Sequence, residues 1–186
     1  MSNTPEHKIL FQLTGSIACF KACELISRLA KRGVAVQTVA SAGALRFVGA
    51  ATLEGLTGRP PFTDLYEPGR AMDHIHLARW ADAAIVCPAT ANSLNRLAAG
   101  LADDAIGALF LAWEIAKKPY LVAPAMNATM WEHPATRASR ERLASYGVRL
   151  LPVGAGNLAC GETGEGRLLE VGELDEALAK ALETPR

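Results

Sequence analysis

Asn127 follows an apolar run and a rigid proline in Pro124-Ala125-Met126-Asn127, with Met130-Trp131 just beyond. Further on, a single thiol sits in the glycine-studded run Ala159-Cys160-Gly161-Glu162-Thr163-Gly164-Glu165-Gly166-Arg167. A strand that stops at proline with an amide past it, then mobile backbone carrying one thiol, suits an active site better than a packing role. A thiol with an ordinary pKa near ~8.5 stays mostly protonated at neutral pH, so it can donate a proton as well as attack. His74-Ile75-His76 adds imidazoles, which titrate near neutrality and suit proton removal. On a strand the H-x-H spacing would put both rings on one face for a metal. No Cys, His or Asp cluster lies nearby to complete such a set, and no metal is expected. The alternative for His74 is a surface histidine in a loop.

Other positions carry weaker signals. Gly15-Ser16, after the first apolar run, is either an anion site at a helix N-terminus or an ordinary strand–helix turn with Ser16 as N-cap. It is not a G-x-G-x-x-G fingerprint. The second strand ends Val39-Ala40-Ser41, where a nicotinamide-binding fold would offer an acidic residue to the ribose. Both departures count against NAD and leave room for a mononucleotide, with Ser41 suited to a phosphate or ribityl contact. Cys19 and Cys23, one helical turn apart, fit small packing residues, and Cys87 fits a core strand. Asp103-Asp104 reads as a helix N-cap. Met126 and Met130 are either core filler or a pocket wall.

The elements that must position these groups alternate. Strands are expected at Lys8–Leu13, Val34–Val39, Ala83–Cys87, Tyr120–Ala123 and Val148–Pro152. Helices are expected over Ile17–Lys31, Ala91–Ala99, Asp104–Lys117, Pro134–Tyr146 and Gly172–Leu182, with shorter helical pieces over Ser41–Phe47 and Thr52–Pro61. The dozen residues after Pro61 look irregular, and Gly154–Gly166 looks like a loop. Short, continuously apolar strands alternating with helices predict a three-layer α/β/α sandwich: a doubly wound, mainly parallel, Rossmann-like sheet. Cys87-Pro88-Ala89 and Ala123-Pro124-Ala125 each end a strand with an Asn close behind, Asn92 and Asn127. If those strands are neighbours, both amides face one crevice at the carboxyl edge of the sheet.

At 186 residues the chain fits one domain, with residues 1–7 as a polar tail. Its 19 basic and 19 acidic residues cancel, so no net field draws it to nucleic acid or an anionic membrane. Half the residues are hydrophobic and only 20% charged, which favours a homo-oligomer. No signal peptide or membrane-length apolar run is evident. With no C-x-x-C or framework spacing among its cysteines, a cytoplasmic protein with free thiols is expected.

Taken in order, Gly15-Ser16-Ile17-Ala18, the run His74 to Asp82, Pro88-Ala89-Thr90-Ala91-Asn92-Ser93, Pro124-Ala125-Met126-Asn127 with Met130-Trp131, and Ala159-Cys160-Gly161 through Arg167 resemble a known family over about Lys8 to Leu178. It is that of the homo-oligomeric flavin-containing cysteine decarboxylases, most closely the phosphopantothenoylcysteine decarboxylases of coenzyme A synthesis. The resemblance implies FMN as cofactor, its phosphate and ribityl chain against Gly15, Ser16, Ile17 and Ser41, with Thr90, Ala91, Asn92, Ser93 and Ala125 beside the flavin. It implies His74, Asn127 and Cys160 as catalytic residues. Asn127, Met130, Arg79, Ala159 and Cys160 would contact substrate, and residues 154–167 would form a flexible covering loop. His76 stands where the family has Glu, Leu168 where Met is common and Val171 where Pro is expected. Neither Leu168 nor Val171 removes a chemical group, so they touch substrate-loop geometry more than mechanism.

The implied reaction converts 4'-phospho-N-pantothenoylcysteine to 4'-phosphopantetheine. Flavin oxidises the thiol-bearing carbon to a thioaldehyde, CO2 leaves, and the enethiolate is protonated and reduced. His74 would assist oxidation, Asn127 would orient the carboxyl-bearing end and Cys160 would protonate the enethiolate. Sites at subunit interfaces of a trimer, or of trimers assembled into a dodecamer, are also implied. Related enzymes offer alternatives. A peptidyl-cysteine decarboxylase of lantibiotic maturation would lack the Ala-Cys-Gly loop, and a flavin prenyltransferase would lack Pro-Ala-Met-Asn. A non-catalytic phosphatase-regulatory relative would carry acidic extensions.

Overall fold

Lys8–Leu13 (β1) is buried from its second residue onward, as a strand covered on both faces must be. The computed structural model describes residues 7–157 and 163–183. In it β1 lies beside β2 (Ala35–Ala40) and β3 (Ala83–Ala89), followed outward by β4 (Tyr120–Pro124) and the two-residue β5 (Arg149–Leu150). The order is β2-β1-β3-β4-β5 and every pairing is parallel. This is the expected doubly wound sheet, with its switch point between β1 and β3.

The helices are α1 (Cys19–Lys31), α2 (Ala50–Thr57), α3 (Asp73–Trp80), α4 (Ala91–Ala99), α5 (Ala105–Ala112), α6 (Ala128–Glu132), α7 (Pro134–Ser145) and α8 (Val171–Glu183). Alternate strand residues separate into two cores. Ile9, Phe11, Leu13, Ile85 and Cys87 pack with α1, α2 and α8. Leu10, Val86, Tyr120 and Val122 pack with α3, α4, α5 and α7. The sheet is therefore the middle of three layers. No helix among the described residues is long and apolar enough to cross a membrane.

Several boundaries differ from expectation. α3 begins where the irregular dozen residues after Pro61 end, over a run for which no helix was expected; its only buried residue is Ala78, too weak an apolar stripe to stand out in sequence. Arg70 Nε donates to Asp73 at 2.7 Å and secures the start of that helix. α1 begins at Cys19, so Ile17 lies outside it, and both Ile17 and Phe20 are exposed, at 60% and 63%, although they matched the helical spacing. α5 ends at Ala112, five residues short of Lys117. The glycine-rich segment read as a loop contains an antiparallel ribbon, β6 (Gly154–Asn157) against β7 (Thr163–Arg167).

Candidate active site

The carboxyl ends of β1, β2 and β3 open onto a cavity of about 590 Å³. Gly15, Ser41, Thr90, Ala91, Asn92, Ser93 and Met130, all expected from sequence, line it. Thr90 follows β3 and caps α4, its Oγ1 accepting the Ser93 N–H at 3.3 Å and lying 3.0 Å from Ser93 Oγ. Ser41 caps the next turn by accepting the Ala44 N–H at 3.1 Å. A Cβ on Gly15 would lie 3.1 Å from the Gly43 backbone, so the first two loops meet chain against chain. Serine and threonine hydroxyls, two glycines without side chains and the N-terminus of α4 therefore converge on one hollow. That chemistry suits an anionic, ring-bearing ligand, and the volume falls within the ~300–1,000 Å³ usual for small-molecule sites.

Ser16 Oγ accepts the Ala18 N–H at 3.2 Å within the turn that precedes α1, whose N-cap is Ala18 and which has no side-chain cap, so Ser16 is not the N-cap expected. Ser16 and Ile17 adjoin Gly15 without lining the cavity, and Ile17 is exposed. Ala125 is buried at 8% and belongs to the α1-side core. Its N–H donates to Ala89 O at 2.9 Å, so β3 and β4 end side by side as supposed. Asn92 reaches the cavity, whereas Asn127 caps α6 instead, with Oδ1 accepting the Thr129 N–H at 2.7 Å. Met130 is 48% exposed and acts as pocket wall, while Met126 packs against the core.

His74 stands elsewhere, in an open cavity of about 540 Å³ lined also by Leu65, Tyr66, Ala102 and Leu111. It sits on the helix α3, not on a loop or strand, so residues i and i+2 diverge and His76 turns to solvent. The His74 Nδ1 is buried and has no hydrogen-bond partner among the described residues. A buried imidazole nitrogen of this kind leaves one hydrogen bond open to water, a ligand or another chain. A smaller hollow of about 220 Å³ shares Ser41 and Asp104 with the first cavity and Leu65 and Tyr66 with the His74 cavity. Arg79 is exposed on the last turn of α3.

Burial pushes the thiols of Cys19, Cys23 and above all Cys87 up from their ordinary value, which keeps them protonated and inert. Ala159 and Cys160 lie outside the described residues. The strands flanking them are held in place. Met126 N–H donates to Gly166 O at 2.9 Å, tying β7 to the Pro124–Asn127 segment.

Sequence inspection missed Gly43, Arg96 and the wall formed by Leu101, Asp104, Ile106 and Gly107. Gly43 had a visible signal, a glycine just past a strand end, like Gly15. Asp104 caps α5 as expected, accepting the Gly107 N–H at 2.8 Å, yet it also faces the cavity. Arg96, ion-paired with Asp103, had no such signal because partner and pocket come from a separate loop.

The chain matches the Flavoprotein family over residues 1–183. It is 41% identical over 167 residues to the coenzyme A biosynthesis bifunctional protein CoaBC of Mycobacterium tuberculosis, covering 90% of this chain and 39% of that protein. It is 39% identical over 176 residues to CoaBC of Vibrio cholerae, covering 94% and 43%. The chain thus spans about two fifths of the length of the curated relatives it matches. Among solved structures, a cysteine-to-serine mutant of PPC decarboxylase complexed with pantothenoylaminoethenethiol superposes with a TM-score of 0.84 at 28% identity, covering 96% of this chain and 99% of that one. The FMN-dependent cysteine decarboxylase SpaF superposes at 0.80 with 31% identity, covering 96% and 97%.

Proposed function

The chain belongs to the Flavoprotein family, and we propose that it binds FMN and decarboxylates 4'-phospho-N-pantothenoylcysteine to 4'-phosphopantetheine in coenzyme A synthesis. One observation carries this reading: Gly15, Ser41 and the Thr90–Ser93 turn, far apart in sequence, meet at the switch point around a single cavity. The fit to FMN is chemical. Glycines without Cβ and capping hydroxyls at the strand ends suit a phosphate and a polyol chain, and Leu97, Leu101, Ile106 and Met130 offer an apolar wall to a ring.

Bound flavin supplies a two-electron acceptor that later returns those electrons, which is what a cysteine carboxylate lacks when it must lose CO2. The protein's own part is to hold and protonate. His74, whose Nδ1 has no hydrogen-bond partner among the described residues, takes the proton lost when the thiol-bearing carbon is oxidised. Asn127, fixed by its role as cap of α6, orients the carboxyl-bearing end. Cys160 gives a proton back to the enethiolate. Met130 and the backbone around Ala159 flank the substrate, and Arg79 offers a cation to its carboxylate.

His74 and Met130 line different cavities of one chain, which supports sites completed between subunits. A homotrimer, or trimers assembled into a dodecamer, acting in the cytoplasm on a small molecule completes the proposal. Likeness to SpaF keeps a peptide ending in cysteine as the second candidate substrate.

The test is mass spectrometry of products after incubation of the flavin-loaded protein with phosphopantothenoylcysteine and, separately, with a cysteine-ending peptide. Loss of CO2 from the first alone is expected. Turnover of the peptide alone transfers the assignment to peptide maturation, and a protein that takes up no FMN overturns both.

A further inference from the structure

α3 carries His74 on two turns of helix and buries only Ala78, so its own apolar anchorage is slight. Its C-terminus also lacks a glycine cap. Ala81 is extended, at φ −83° and ψ 147°, and no left-handed residue turns back to satisfy the last carbonyls. Lys118, from the segment between α5 and β4, supplies the missing donors. Its Nζ donates to Ala78 O at 2.5 Å and to Ala81 O at 2.8 Å.

The lysine is itself held firmly. Its ammonium lies 4.3 Å from the Trp113 ring centroid, and Trp113 Nε1 donates to the Lys118 carbonyl at 3.1 Å. Trp113 is 5% exposed and meets Tyr120 of β4 edge to face, at 5.9 Å between ring centroids. Burial pushes the Lys118 pKa down, the cost of drawing an ammonium partly out of water. A continuous path of contacts therefore runs from the central sheet through Trp113 and Lys118 to the end of α3. Ala78 lies one helical turn beyond His74 on the same face, so the clamp acts on the turn that carries the imidazole.

We propose that Lys118 is a positioning residue for His74: its grip on the carbonyl end of α3 sets the depth at which the imidazole enters its cavity. The inference rests on His74 being the proton-handling group of the decarboxylation. Arg70 does the complementary task at the other end, where it pairs with Asp73 beside His74.

Lys118→Met keeps the apolar stem and removes cation and donors, and Lys118→Arg restores a cation. In flavin-loaded protein the side-chain NMR resonances of His74, assigned with a His74→Gln variant, should move in Lys118→Met while those of His133 stay in place. The kcat should fall about tenfold with KM within about twofold, inside the roughly hundredfold that a displacement of an ångström can cost. FMN content should be unchanged, and Lys118→Arg should recover most of the kcat. Unmoved His74 resonances in folded Lys118→Met, or equal losses in both variants, overturn the proposal. Should Lys118→Met not fold, Lys118→Gln is judged by the same criteria. If the wild-type protein turns over no phosphopantothenoylcysteine, the decarboxylase assignment fails, while the His74 resonances still decide the positioning.

Discussion

The Thr14 hydroxyl accepts the Thr90 N–H at 3.1 Å while donating to Pro88 O at 2.6 Å. One side chain, 2% exposed, therefore stitches the end of β1 to the end of β3 across the switch point, beneath the cavity floor. Thr14→Val keeps the shape and leaves two backbone groups unpaired, at about 1–3 kcal/mol. The urea midpoint should fall accordingly, and FMN affinity, read by flavin fluorescence, should drop about tenfold because Thr90 moves. Thr14→Ser should behave nearly as wild type.

Gly166 adopts φ +131°, a region unfavourable to residues with a Cβ, and an added methyl would press into the Met126 carbonyl oxygen. Gly166→Ala should therefore displace β7 from the Pro124–Asn127 segment and cost about 2–4 kcal/mol in denaturant unfolding. FMN should still bind, since its proposed phosphate and ribityl contacts lie on the β1, β2 and β3 loops, but kcat should drop. Retention of full kcat would separate the ribbon from substrate handling.

Asn127 combines capping with its proposed substrate contact, and the two can be separated. Asn127→Asp preserves a cap acceptor at the N-terminus of α6, so stability should stay within about 0.5 kcal/mol of wild type. A carboxylate facing the substrate's own carboxylate should cut kcat/KM by about a hundredfold or more. Asn127→Ala should lose about 1 kcal/mol of stability as well. Full turnover by Asn127→Asp would reduce Asn127 to a helix cap.

Glu170 joins the return of β7 to α1. It pairs with Lys21 at 2.9 Å and with Arg167 at 2.7 Å, and Lys21 chiefly holds its carboxyl below the usual range. A carboxyl lowered on folding contributes stability above its unfolded pKa, near ~4.3, and loses it as pH falls through the folded value. Glu170→Gln should thus unfold at lower urea than wild type near neutrality. The two proteins should converge in acid, once the pH falls below the folded as well as the unfolded pKa. A gap that persists in acid would assign the effect to packing.

Sequence alone determined the layer order and most of the strands, because a parallel strand buried on both faces must be largely apolar, and Ile9–Phe11, Ala83–Cys87 and Tyr120–Ala123 are. It also marked Gly15, Ser41 and Asn92, since strand ends in such a sheet are where ligands sit, while Thr90, Ala91 and Ser93 were implied by the family resemblance. α3 escaped notice because it buries one alanine and is held by Arg70 and Lys118, whose partnerships bridge separate segments. Only the tertiary structure decided which of these positions share a hollow. It drew in Gly43, Arg96 and the Leu101–Gly107 wall, set His74 in a cavity of its own, and turned the Asn127 side chain to a helix cap. Proximity of that kind comes from crossovers between distant segments, whereas burial on both faces is written locally in each strand.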